Sequence, residues 1–131
     1  MAEPAPKRGV MSEASSTGLE PRNAAALAYL AGPFSGVLIL WVETINHDVR
    51  FHAWQSIVGL GGIGLGVLMA YVLAFVLVFF SGTAVTLLLG VASVMWFVLI
   101  AAWAICLWKA LAGGRWKLPL AGEFAERLAR R

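Results

Sequence analysis

Charge is missing from most of this chain, and its absence excludes more than any residue present. No Asp, Glu, Lys, Arg or His occurs between Arg22 and Glu43, or again between His52 and Lys109. A water-soluble fold would have to bury both stretches, and 131 residues are too few to cover several wholly apolar helices. Cysteine is nearly absent too. Cys106 stands alone, which excludes an intramolecular disulfide and any zinc or iron-sulfur site built from thiols, and leaves it as a small buried hydrophobe. The apolar stretches also lack the nucleophile with a base, or the paired carboxylates, that intramembrane hydrolysis requires. Ser35, Ser56, Ser81, Thr83, Thr86 and Ser93 are therefore expected to bond helix carbonyls. No enzyme activity, catalytic residue or cofactor is expected.

What is present is apolar surface, at 60% of the residues, the composition of an integral membrane protein. A crossing takes about 20 apolar residues. The first uncharged stretch fits one helix at about 24–42. The second has length for two, at about 54–80 and 85–108, parted at Phe80-Ser81-Gly82-Thr83 by turn chemistry. The expected fold is an all-α integral membrane protein with three transmembrane helices and a short C-terminal amphipathic helix. The organisation expected is a disordered tail over 1–20, a membrane domain over 21–112 and a basic segment over 113–131. The first helix is read as retained, because its apolar run exceeds that of a cleaved signal and a polar stretch separates it from Lys7 and Arg8. Gly32-Pro33 within it predicts a kink or break near Ala31.

With three spans, the amino tail shares a face with the Ser81 turn. Arg50 and the six Lys and Arg of residues 109–131 lie on the other face, so the positive-inside rule predicts the amino end outside and the carboxyl end cytoplasmic. Past Gly113-Gly114, the Arg115-Trp116-Lys117 triplet suits the headgroup level, and Pro119 can open a helix. Leu120, Phe124 and Leu128 then recur at every fourth position, opposite Glu123, Glu126, Arg127 and Arg130. An amphipathic helix lying on anionic lipid is expected, with docking on a partner as the competitor. This basic tail is too small and too close to the bilayer to point to nucleic acid.

Gly59-x-Gly61-x-x-Gly64 matches a dinucleotide fingerprint only formally, since no strand precedes it and no acidic residue follows. Gly62, Gly66, Ala70 and Ala74, at intervals of four, make a smooth face for close helix packing, within the chain or in self-association. Gly32 and Gly36 repeat the spacing. The richest polar cluster is Glu43, Asn46, His47, Asp48, Arg50, His52, Gln55 and Ser56. Asn46 or Asp48 can cap the second helix, with Asp48, His52 and Gln55 on one face, Phe51 and Trp54 as interface anchors, and Glu43 paired with Arg50. A metal held by Glu43, His47, Asp48 and His52, a polar path past His52 and Gln55, or a docking surface for headgroups or another protein are the functional readings of the same cluster.

Three stretches together carry a family resemblance: Thr17-Gly18-Leu19-Glu20-Pro21-Arg22-Asn23-Ala24 through Leu30 with Gly32-Pro33, then Val49-Arg50-Phe51-His52-Ala53-Trp54-Gln55-Ser56, and Trp116-Lys117-Leu118-Pro119-Leu120-Ala121-Gly122. In order and spacing the chain resembles a small prokaryotic membrane protein family of unknown function, grouped with the chloroplast inner-envelope import component of the Tic translocon. The resemblance implies a multi-span helical domain without enzyme activity or cofactor, remotely linked to protein import. It marks Arg50, His52 and Gln55 as motif positions without an assigned role. The partners expected are the lipid bilayer, further copies of the chain or other membrane proteins. A membrane subunit or scaffold is the leading functional expectation, and a small oligomeric channel or transporter the alternative.

Overall fold

The structure is a computed structural model and describes residues 14–131. Within them the chain forms helices α1 (Pro21–Leu30), α2 (Pro33–Val42), α3 (His47–Gln55), a π-helical turn (Ser56–Leu60), α4 (Gly61–Leu77), α5 (Gly82–Leu111) and α6 (Ala121–Ala129). The helices α3 and α4 run on through the π turn as one 31-residue rod, His47–Leu77, and α5 is a second of 30 residues. At 1.5 Å per residue each is about 45 Å long, enough to cross a hydrocarbon core of about 30 Å with tilt to spare. Their side chains face outward in the manner of a protein solvated by lipid. Phe75 and Phe97 are each more than 70% exposed.

Among the described residues two helices, not three, are long and apolar enough to cross a membrane. The span expected at 24–42 is corrected: it is broken into α1 and α2, each of 10 residues and so about 15 Å long, half a crossing. The break is local chemistry. Pro33 opens α2 and lacks the amide that would continue α1. Gly32 takes φ 61°, a conformation with little cost only for glycine.

The chain doubles back at this break. Ser15 and Ser16, just before α1, hydrogen-bond the Glu43 carboxylate just after α2, and the Ser16 hydroxyl also donates to the Val42 carbonyl at 3.1 Å. The two ends of the α1–α2 hairpin therefore meet at one level, and its tip at Gly32-Pro33 touches Ser56 and Gly61. That contact lies about 14–21 Å along the first rod by helix rise, so the hairpin reaches partway along the rod and returns. The unordered tail expected over 1–20 falls up to residue 13 outside the described residues; Ser15 to Thr17 form a turn on Glu43.

The turn between the rods lies where turn chemistry placed it. Ser81 caps α5, its hydroxyl accepting from the Ala84 amide at 3.3 Å. The rod begins at His47 rather than near Trp54, because the Asn46 side chain caps it, accepting from the amides of Asp48 at 3.0 Å and Val49 at 3.1 Å. The carboxyl helix forms, starting at Ala121, and its face toward the protein is one of small residues. Gly122, Ala125 and Ala129 pack on α3 around Phe51, while Leu120 and Phe124 are exposed. Small residues win the inner face because they allow close helix approach. For the same reason the hairpin docks through Ala24, Ala25, Ala26 and Ala28, all buried.

Candidate functional site

Under the hairpin, polar side chains from every part of the fold converge in an otherwise apolar interior. Gln55, the last residue of α3 before the π segment, is fully buried. Its amide nitrogen donates to the Tyr29 hydroxyl at 3.1 Å and the Trp116 carbonyl at 3.0 Å, and lies 3.8 Å from the Cys106 sulfur. Its oxygen accepts from the Leu118 amide at 3.1 Å. One side chain thus joins α1, α3, α5 and the tail. Tyr29 also meets His52 Nδ1 at 2.9 Å. The His52 ring sits edge-on between Tyr29 and Phe51, with centroid distances of 5.6 and 5.2 Å.

The hairpin break is satisfied by side chains, as a lipid surrounding demands. Ser56 donates to the Gly32 carbonyl at 2.7 Å, and the Trp103 indole donates to the Tyr29 carbonyl at 2.8 Å. The Ser35 hydroxyl accepts from the Ala31 amide and lies 3.0 and 3.1 Å from the carbonyls of Ala28 and Gly32. Glycines allow the approach. A Cβ at Gly36 would stand 2.9 Å from the Ala53 carbonyl oxygen, and one at Gly61 3.2 Å from Pro33. At Gly59 it would stand 2.5 Å from Leu118. The Gly59-x-Gly61-x-x-Gly64 run is thus the seat of the π turn, the hairpin tip and the tail, a packing role.

At the membrane face the Glu43 carboxylate is shut in at the base of the hairpin. Burial pushes its pKa up, but hydrogen bonds from the Asn46 and Ser16 amides and the Ser15 and Ser16 hydroxyls outweigh that and hold it down at about 2. Arg50 does not pair with this carboxylate as expected; its guanidinium donates to the Glu43 carbonyl at 3.3 Å. Asp48 meets Arg115 at 3.3 Å, and Glu126 gathers Arg115, Lys117 and Arg130 at 3.7, 2.5 and 3.4 Å. The hydrogen bond from Lys117 is the main cause lowering the Glu126 pKa. Arg115 also stacks on Phe51, 4.9 Å from the ring centroid.

Of the sequence-singled residues, His52 and Gln55 come together, and Arg50 lies apart at the hairpin base. Phe51 is buried beneath α6 rather than anchoring at the interface, and Trp54 packs beside it. Glu43, His47, Asp48 and His52 do not converge: three of them turn to Ser15 and Ser16, Arg115 and Tyr29, and among the described residues no three potential ligands gather. Along α4, Gly66 faces Met95 of α5 and Ala74 is buried, Ala70 is half-buried, and Gly62 opens on empty space. Tyr29, Trp103 and the tail backbone at Trp116 and Leu118 escaped the residue-level reading. Only the stretches carrying the family resemblance included Tyr29, Trp116 and Leu118.

No family model and no solved structure matches the chain. Curated relatives do. A UPF0132 membrane protein of Methanocaldococcus jannaschii is 35% identical over 111 residues, 85% of this chain and 90% of the relative. One of Archaeoglobus fulgidus is 35% identical over 103 residues, covering 79% and 89%. A second from M. jannaschii is 30% identical over 113 residues, covering 86% and 73%. Their shared description is that of a membrane protein without an assigned activity, in keeping with the two lipid-facing rods. The chain belongs to the UPF0132 membrane protein family.

Proposed function

We infer that the chain is a non-enzymatic membrane subunit or scaffold that assembles with further copies of itself or with other membrane proteins. One observation carries this reading. The hairpin fills the space beside α4 and α5 only to the level of its tip, and beyond it lies an apolar groove of about 610 Å³ lined by Gly32, Pro33, Phe34, Leu65, Trp96 and Trp103, among others. A helix from another chain fits such a groove, because rings and glycines give a partner both contact area and close approach. The small-residue face from Gly62 serves the same purpose at its open end, since no described residue lies within 4 Å of a Cβ placed at Gly62.

The same geometry speaks against a conduit. The polar residues of the first rod stop at Ser56; in α4 only Tyr71 carries a polar group. Gln55 spends its amide on Tyr29 and the tail, and His52 Nδ1 meets Tyr29, rather than a water path. The sharpest form of the reading, a subunit of a protein-translocating complex, rests on the sequence resemblance alone. Sidedness follows from charge. Every Lys and Arg among the described residues lies at the end where α3 begins and α5 ends, and none lies at the Ser81 turn. The positive-inside rule then makes the hairpin base and the carboxyl segment cytoplasmic together, in place of the opposite faces that three spans imply.

A photo-crosslinking residue at Leu65 or Trp96, activated in native membranes, is expected to capture a protein. Capture of lipid alone from both positions overturns the scaffold reading. Purified protein in liposomes is expected to pass no ion or small solute, and measurable flux would restore the channel alternative.

A further inference from the structure

Beside the hairpin base, α3 and the end of α6 enclose a polar pocket of about 260 Å³ lined by Thr44, Ile45, His47, Arg50, Arg130 and Arg131, with Ala129 at its edge. We propose that this pocket binds the phosphate of an anionic phospholipid headgroup.

The charge is built in from two elements. Arg50 is half-buried and held in place by its bond to the Glu43 carbonyl at 3.3 Å, which leaves the rest of its fork for an anion. Arg130 caps the carboxyl end of α6, the helix seated on Phe51, with Arg131 next to it. Among the described residues, no carboxylate side chain lines the pocket. Those nearby are engaged elsewhere: Glu43 with Ser15 and Ser16, and Asp48 with Arg115. Glu126 is shared among Arg115, Lys117 and Arg130, the last at 3.4 Å. An anion meets an electropositive site with imidazole and hydroxyl donors at its wall.

The surroundings choose a lipid over a free anion. Ile45 lines the pocket and is 63% exposed, and Trp41, one helical turn back along the hairpin, is 84% exposed. Both stand at the end of α2, the level where a phosphate joins its acyl chains and where indoles settle. Basic side chains and apolar surface thus adjoin at headgroup depth, an arrangement that a lipid satisfies at both ends.

The test uses the full chain in detergent with phosphatidylglycerol or phosphatidylcholine added, read by native mass spectrometry. Wild type is expected to retain phosphatidylglycerol over phosphatidylcholine. Arg50→Gln and Arg130→Gln are each expected to weaken retention about fivefold, and together more, by the usual contribution of one cation at a charged surface. Arg22→Gln, away from the pocket, leaves retention unchanged. Melting of each variant, followed by exposure of Cys106, identifies any that fails to fold; for such a variant lysine at the same position replaces glutamine, and its retention is expected to fall below wild type because lysine cannot form the two-pronged bond to phosphate. Equal retention of the two lipids, or retention unaffected in the folded double variant, overturns the proposal. So does displacement of the lipid by equimolar inorganic phosphate, which would mark a free-anion site.

Discussion

Gln55→Leu tests whether the buried amide holds the hairpin, the second rod and the tail together. The substitution keeps the volume and removes three hydrogen bonds of 3.0–3.1 Å. The Trp116 carbonyl and the Leu118 amide would be left facing leucine, and each buried group without a partner costs about 1–3 kcal/mol. A loss of about 3 kcal/mol lowers the melting temperature by on the order of 10 °C for a chain of this size. The protein carries its own reporter. Cys106 is the sole cysteine, 2% exposed and 3.8 Å from the Gln55 amide, so a thiol-reactive fluorogenic dye in detergent reads unfolding directly. Ser93→Ala is the control, since its hydroxyl bonds only the Leu89 carbonyl of its own helix. If Gln55→Leu melts within about 2 °C of wild type, the clasp does not hold the fold and the reasoning fails.

Three further outcomes follow from particular contacts. Gly36→Ala places a Cβ 2.9 Å from the Ala53 carbonyl oxygen, whereas Gly62→Ala meets nothing; the first should cost roughly 1–3 kcal/mol by overpacking and the second almost nothing, compared by the same dye. Gly122→Ala would press on the Lys117 backbone at 3.0 Å and the Gln55 oxygen at 3.1 Å, loosening the tail, so limited trypsin digestion should cut after Lys117 faster than in wild type. Glu43 has its pKa depressed from 4.5 to about 2. Its contribution is therefore complete above about pH 4.5 and lost as pH falls toward 2. Thermal melting between about pH 6 and pH 3 should decline in wild type, while Glu43→Gln starts lower and declines less.

Much of this fold was legible where the signal was one of composition. The missing charges identified lipid-facing helices, Phe80-Ser81-Gly82-Thr83 located the turn, and Asn46 capped its helix as its side-chain oxygen suggests. The reversal at Gly32-Pro33 was not legible, because the same pair can kink a helix or turn it back. What decides between them is the bond from Ser15 and Ser16 to Glu43, made by residues 27 and 28 positions apart in an aperiodic segment. The inner face of α6 was not legible either: Leu120, Phe124 and Leu128 mark the stripe expected on lipid, while Gly122, Ala125 and Ala129, which allow the close approach to α3, are too small to announce a packed face. At the site, His52 and Gln55 stood out as polar residues near an apolar run. Tyr29 did not, since a lone tyrosine in such a run looks like any aromatic anchor.

The account depends most on the hairpin entering and leaving by the same face. Single cysteines introduced at Thr17, Thr44, Thr83 and Arg127 in a Cys106→Ala background, treated with a membrane-impermeant maleimide before and after permeabilising cells, read this directly. The shared level of the hairpin ends predicts that Thr17, Thr44 and Arg127 label together and apart from Thr83, and the positive-inside rule that Thr83 is the one to react in intact cells. Labelling of Thr17 together with Thr83, on the side opposite Thr44, would show that α1 and α2 cross the membrane and would contradict the account.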